Sequence, residues 1–481
     1  MSHVYGSNKY VLSFGEQAPG ERLPLTGTTI STHTISKAGW GLTENLYAGT
    51  VAYVVRGTGG GETILNVISN TGTAITVREE LNEGANIDQD SVLMFDMRFS
   101  SVENYYTEWG GSYNYPRNAF LAVCEDFDFP TPTIDYEEIW THDTGQDRKY
   151  FVHKKTTFDT SAPLIVFDFR FPFMLFGAEI GDGTTVTGGG STTSSETVYA
   201  RDDRVAVVST TNFTAGDYVR IGSYASGTSE VRKIRSISSN TLILDFPFRM
   251  NHASGSSVVE VTSPYTHKIT PANNAPYIQI AGAYTETPDF VRDGLRFKIT
   301  AGEFSSETGD MLKFSADLVG GDVLINGSQP SVTVPSASPY QYRMVSGGIS
   351  LNGTTYANVE SFRYRLERGI QTIYTHQNVS ADKPFYLIEA KRRHEIGMVI
   401  VPTDDSIYDL LDGSTSFQIE LTFNRGTNDT LLMHFENVYL SAAPHGFVID
   451  GPVRVTGTFH AGSGTYFVIT DTIPYYPVGG L

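Results

Sequence analysis

The 481-residue chain carries a formal net charge of −19, an excess of carboxylates that excludes wrapping nucleic acid by neutralising its phosphates. Its 47 Gly, 28 Phe and 27 Tyr, with hardly any long 3.6-period runs, exclude a helical bundle and point to strands separated by turns. The single cysteine, Cys124, excludes an internal disulfide framework and a cysteine-based metal site, and no apolar run approaches the ~20 residues of a membrane helix.

Residues 1–40 are rich in Gly, Pro and Thr and read as an extended arm laid along a neighbouring subunit, with a disordered tail as the alternative. Residues 1–30 lack the charged start and apolar stretch of a secretory signal. Residues 41–97 read as a small β module, with strands in YAGTVAYVVRG, ETILNVISN, TGTAITVRE and DSVLMFDM. The run GTGGG lies between two of these strands, with no helix and no Lys-Ser/Thr after it, so a hairpin turn is favoured over a phosphate loop. Residues 98–117 form an aromatic-rich connector that reads as a lid on the adjacent core.

A larger unit begins at AFLAVCEDFDF, where Phe127 and Phe129 alternate with Asp126 and Asp128. The charged stretch DYEEIWTHDTGQDRKYFVHKK suits an exposed hairpin or loop, and APLIVFDFRF is a strand running into a short helical turn, FPFMLFG. Residues 178–262 then supply a Gly/Ser/Thr linker and a second small β module, after which the larger unit resumes over 263–321. The two modules share a Glu-led strand, an SN or SSN turn, an aliphatic strand and a Ser-Val closing strand, so both read as one barrel-like plan. Residues 322–345 link to a second large unit, 346–481, whose opening strand alternates Phe362, Tyr364 and Leu366 with Ser361, Arg363 and Arg365.

The two large units, 98–177 with 263–321 and then 346–481, match element by element. CEDFDFPTPTI corresponds to VESFRYRLERGI, PLIVFDFRFPFMLFG to HEIGMVIVPTDDSIYDLLDG, and APYIQIAGAY to TSFQIELTFN. The element order and lengths agree more closely than the residues do. A duplicated β unit suggests a closed ring, because repeated interfaces close symmetrically and three chains of two units give a pseudo-sixfold arrangement.

The segments GGISLNGTTYANVESFRYRLERGI, KRRHEIGMVIVPTDDSIYDLL, FQIELTFNRGTNDTLLMHFENVYL and GPVRVTGTFHA resemble the tail tube proteins of long-tailed bacterial and archaeal viruses. The first unit, with YTHKITPANNAPYIQI, resembles the N-terminal half of the duplicated members of that family. The resemblance implies a mostly β fold: two tandem tail-tube β-sandwich domains, each with a short helix, and two small inserted β-barrel-like modules on the outside. It also implies trimeric pseudo-sixfold rings stacked into a tube in the virion tail and assembled in the host cytoplasm. Its partners would be the tail tip, tape-measure and tail terminator proteins, with viral double-stranded DNA passing transiently and no membrane involved. Residues 41–97 depart from this plan, because they precede the opening strand at residue 119 rather than interrupting the unit.

Catalysis finds little support. His142 and Asp143 lie near Glu137 and Glu138, but no second histidine or nucleophile is tied to them by spacing, and no cofactor or metal motif is present. Asp404 and Asp405 read as the N-cap and dipole-complementing charge of a short helix. The basic run Lys391 to His394 suits an intersubunit contact with acidic loops better than a DNA contact. The candidate channel-lining or inter-domain face is therefore Asp126, Asp128, Ser361, Arg363 and Arg365, with the arginines expected to be paired with carboxylates so that DNA is not held. A receptor- or glycan-binding virion protein, or a secreted β-rich adhesin, is the alternative reading.

Overall fold

A computed structural model describes residues 10–16, 18–44, 47–48, 51–60, 63–97, 119–121, 132–143, 146–165, 169, 172–173, 175–245, 247–272, 275, 277–284, 287–307, 309–326, 342–355, 359–374, 384, 386–401, 416–425, 429–442, 445–446 and 454–476. These residues are overwhelmingly strand. In chain order the first are β1 (Tyr10–Glu16), β2 (Ala18–Pro24), β3 (Thr29–Ser31), β4 (Thr34–Ser36), β5 (Val51–Arg56), β6 (Ile64–Asn70), β7 (Ala74–Val77) and β8 (Val92–Met97). Then come β9 (Ala119–Leu121), β10 (Pro132–Asp143), β11 (Gln146–Ile165), β12 (Gly177–Thr185), β13 (Ser191–Thr193), β14 (Arg204–Ala206), β15 (Tyr218–Ile221), β16 (Glu230–Ser238), β17 (Thr241–Leu244) and β18 (Ser257–Pro271). Next are β19 (Ile278–Tyr284), β20 (Thr287–Glu307), β21 (Lys313–Val319), β22 (Asp322–Asn326), β23 (Arg343–Leu351), β24 (Thr354–Thr355), β25 (Val359–Glu367), β26 (Gln371–Ile373) and β27 (Tyr386–Ile388). The last are β28 (Arg393–Ile400), β29 (Phe417–Asn424), β30 (Thr430–Ala442), β31 (His445–Gly446), β32 (Arg454–Ala461) and β33 (Tyr466–Asp471).

One pairing scheme occurs twice. In the first half β20 pairs with β19 and β22 along its N-terminal part and with β21 along its C-terminal part, while β21 also pairs with β11 and β19 with β1. In the second half β30 pairs first with β29 and β33 and then with β32, while β32 also pairs with β28 and β29 with β23. Each long strand therefore passes from one sheet into another and ties two layers together. The apolar faces of both halves meet in one contiguous core, which runs from Phe304 and Phe314 through Tyr364 and Met398 to Phe423, Phe435 and Phe467. A helical turn at Pro172 and Phe173 inserts Phe169, Phe173 and Phe176 into this core, with Phe173 N–H bonded to Phe169 O at 2.9 Å. The counterpart helix expected around Asp404 and Asp405 lies outside the described residues.

The small modules also share one scheme. Module one runs in the order β2-β8-β5-β6-β7-β4, and module two in the order β13-β18-β15-β16-β17-β14. Their central hairpins have a register shift at the same place, between Val67 and Ser69 in one and between Ile234 and Ser236 in the other. Each module has its own core. Residues 57–60 of the GTGGG run form a turn after β5.

The structure draws the N-terminal boundaries differently from the sequence. Residues 1–40 read as one extended arm, yet β1 pairs with β19 and β9, β2 pairs with β8, and β3 and β4 form a hairpin in module one. Leu23, Leu25 and Ile35 supply apolar surface to the core of module one, which explains why this segment packs. Module one consequently interrupts the larger unit between β1 and β9 instead of preceding it. Module two branches from a stem in which β12 pairs with the C-terminal part of β18.

Candidate functional site

The charged face predicted from β25 is outward-facing. Phe362, Tyr364 and Leu366 are buried, while Ser361, Arg363 and Arg365 sit on the opposite face, as strand alternation requires. Asp126 and Asp128 lie outside the described residues. Cross-strand register sets one row of this face as Ser305, Arg363, Gly397 and Thr458, and the next as Glu303, Arg365, Glu395 and His460. Gly397 leaves room beneath the Arg363 guanidinium, since a Cβ there would lie 3.6 Å from Nε. Around it a shallow basin of about 490 Å³ is lined by Ser305, Ser361, Arg363, Thr456 and Thr458, among others.

The cations of this face are matched by carboxylates. Arg363 Nη2 lies 3.0 Å from Glu395 and its Nη1 3.9 Å from Glu303. Arg365 reaches Asp317 at 3.2 Å, Glu367 at 3.0 Å and Glu303 at 3.8 Å. At the far end Arg454 Nε lies 2.6 Å from Glu360, whose carboxyl the guanidinium holds below its usual range. The half-exposed pairs of Arg363 and Arg365 contribute little stability, typically below about 1 kcal/mol each. Their effect is on the field, which they leave patterned rather than positive, so among the described residues this face offers a polyanion no strip of free cations.

Beside this face the two halves are joined strand to strand. The C-terminal part of β20 pairs with β25 from Ala301↔Glu367 to Glu307↔Ser361, making one sheet β11-β21-β20-β25-β28-β32. The end of the joint is fixed by Arg368, which is fully buried. Its guanidinium donates to the carbonyls of Leu175, of Phe176 at 2.7 Å and of Ala272 at 3.1 Å, and to Glu389 at 2.6 Å. Leu175 and Phe176 end the helical turn, so Arg368 satisfies carbonyls that a helix C-terminus leaves open. Glu389 in turn takes Lys298 at 3.3 Å and the Ala275 N–H, so residues of both halves converge on it. Sequence reading missed this cluster; Arg368 follows RYRLE and looks like one more exposed charge.

The basic run 391–394 is partly used within the chain. Arg392 donates to Ala272 O at 2.7 Å and Arg393 pairs with Glu395 at 3.1 Å. Burial, together with Arg392 and Arg368, pushes the His394 imidazole down to about 4, and its Nδ1 faces the Tyr364 hydroxyl at 2.8 Å. His142 and Asp143 sit at the tip of the long β10–β11 hairpin, in register with Asp147 and Gln146. Among the described residues no group of three His, Cys, Asp or Glu side chains could hold a metal ion, and no helix is long and apolar enough to cross a membrane.

The family model described as phage tail tube protein matches residues 143–461, a span that includes both long sheet-crossing strands, the β20–β25 joint and module two. No individual curated protein matches the chain significantly.

Proposed function

The chain belongs to the phage tail tube protein family, and from that premise we propose that it polymerises into stacked rings whose lumen conducts the viral genome into the host cell. A structural role in the virion tail, assembling with other tail components, follows from the family. The finer reading takes 98–177 with 263–321, plus β1, as one tube domain and 346–481 as a second. Three chains then make a pseudo-sixfold ring.

The observation that carries this reading is the β20–β25 joint. β20 pairs with β21 on one side and with β25 on the other. Its counterpart β30 pairs with β32 on one side, and among the described residues the C-terminal part of β30 pairs with no strand on the other. An open sheet edge invites a partner strand. By the sequence correspondence, the counterpart of β25 is the segment expected to open the first domain, CEDFDFPTPTI, which carries Asp126 and Asp128. In our reading the next chain donates that strand to β30, so the joint within the chain is repeated between chains and three chains close the sheet. The face bearing Ser361, Arg363 and Arg365 then lines the lumen together with Asp126 and Asp128.

The β10–β11 hairpin, paired from Pro132↔Phe158 to Asp143↔Gln146, is the element we assign to contact between successive rings; its counterpart β26–β27 is paired, among the described residues, from Gln371↔Ile388 to Ile373↔Tyr386. Tape-measure, tail tip and terminator proteins are the partners expected along and at the ends of the tube, and assembly needs no cofactor and no catalysis. Assembly in the host cytoplasm precedes incorporation into the virion. Negative-stain microscopy of the purified protein tests the proposal. Rings or hollow tubes are expected; monomers or compact trimers that never polymerise and that bind glycans would overturn it.

A further inference from the structure

Module two contains a buried ionic cluster that has no counterpart among the described residues of module one. Aligning the shared register shifts puts Arg232 where module one has Leu65, and both side chains are fully buried. Arg232 donates to Glu230 at 2.6 Å and to Pro247 O at 3.0 Å, while Glu230 accepts from Arg249 N at 2.9 Å and faces His252 Nε2 at 3.0 Å. An apolar residue suffices at this position in the sister module, and burying a guanidinium is costly, so the substitution calls for a separate reason.

The reason lies in the segment that follows β33. The ring of Tyr475 sits 5.4 Å from the Arg232 guanidinium, and its hydroxyl donates to Asp245 of module two at 2.7 Å. Burial and Asp245 push the Tyr475 phenol well above its usual range, so the hydroxyl remains a donor at any working pH. The next residue faces the other way. Tyr476 N donates to Glu179 at 2.9 Å, its ring packs edge-on to Phe173 at 5.7 Å in the main core, and its hydroxyl binds Asp471. Ile473 O lies 2.7 Å from His267 Nε2 on the stem. Consecutive tyrosines therefore hold the module and the framework at once.

This bridge starts beside the irregular end of the stem, where β33 pairs with β18 from Ile269↔Phe467 to Tyr265↔Asp471. The β12–β18 pairing shifts register between Gly183 and Thr184, and the strand then runs into the glycines at 188–190. Module two is also tied to module one, where Arg56 Nε lies 3.2 Å from Asp202, with Arg22 on the same carboxylate. That tie links the two modules to each other, whereas the 471–476 segment links module two to the framework.

We propose that Asp471–Tyr476 is a strap that fixes the pose of module two on the framework, with Arg232 and Asp245 as its socket. The inference does not depend on tube assembly. Amide hydrogen exchange on the full chain tests it. Tyr475→Ala is expected to speed exchange in the stem, residues 183–185 and 262–265, by about 10- to 100-fold, the loss of one hydrogen bond to a charged acceptor. Exchange in the module strands around Ile234 and Leu242 should stay as in the parent, which separates release of the strap from unfolding of the module. Tyr475→Phe keeps the ring and should give a smaller rise in the same places, and Asp245→Asn should add little to it. Stem exchange unchanged in both Tyr475 variants, or a rise spread evenly through module two, would overturn the proposal.

Discussion

Replacing Arg368 by methionine isolates the tie between the two halves of the framework. The change keeps the apolar stem but removes one donor from each of four acceptors: the carbonyls of Leu175, Phe176 and Ala272, and the Glu389 carboxylate. Phe176 O keeps the Ala272 N–H and Ala272 O keeps Arg392, whereas Glu389, 6% exposed, keeps Lys298 and the Ala275 N–H among the described residues. Breaking a buried pair by removing one partner costs about 3–5 kcal/mol, and we expect Arg368→Met to fall in that range. Arg368→Lys retains a charge but not the planar fork, and reaches one or two of the four acceptors, so it should cost less yet still more than about 1 kcal/mol. Urea unfolding of the unassembled chain gives the totals, and amide exchange along β20 and β25 locates them. If Arg368→Met and Arg368→Lys both unfold within about 0.5 kcal/mol of the parent, the error of a surface substitution, the cluster does not hold the joint and the reasoning fails.

Three other outcomes follow from the same structure. Reversing Glu303 and Asp317 to lysine takes carboxylates away from Arg363 and Arg365; we expect stability changes below about 1 kcal/mol, normal tubes, and slower DNA release from particles, and unchanged release would remove the channel role of this face. The His267 imidazole loses affinity for its proton by burial but regains more from Asp471 and Glu179, ending at about 9 against 6.5 unperturbed. Its folded value is raised, so its contribution is complete below pH 6.5 and is lost as pH rises through about 9; unfolding midpoints should fall across that window in the parent and stay flat in His267→Gln. Gly320→Ala would drive a methyl into the buried Phe297 ring, and an overpacking cost of roughly 1–3 kcal/mol should appear in thermal unfolding; a neutral result would mean the ring moves freely.

What could be read from the sequence was whatever depends on local pattern. The alternation of Phe362, Tyr364 and Leu366 with Ser361, Arg363 and Arg365 gave the two faces of β25 correctly, because a strand's period is a property of a few consecutive residues. The glycine turn after β5 was legible for the same reason. What was missed depends on distant contacts. Tyr10–Glu16 looks like an arm until its partner is known, and that partner, Ile278–Tyr284, lies across the whole first half of the chain. Arg368 gives no local sign of burial, since its acceptors come from a helical turn and a loop far earlier in the sequence. The socket at Arg232 was equally hidden, and only the register shared by the two modules, set by strand pairing, shows that an apolar position has been taken by a charge.

The measurement that tests the central claim most directly is a cryo-electron-microscopy map of the assembled particle, at a resolution that traces strands. The account predicts rings of three chains in which the free side of β30 pairs with the opening strand of the next chain's first domain. It also predicts that Arg363 and Arg365 face the lumen. A ring whose chains meet through the inserted modules, or a tube with the Arg363 face turned outward, would contradict it.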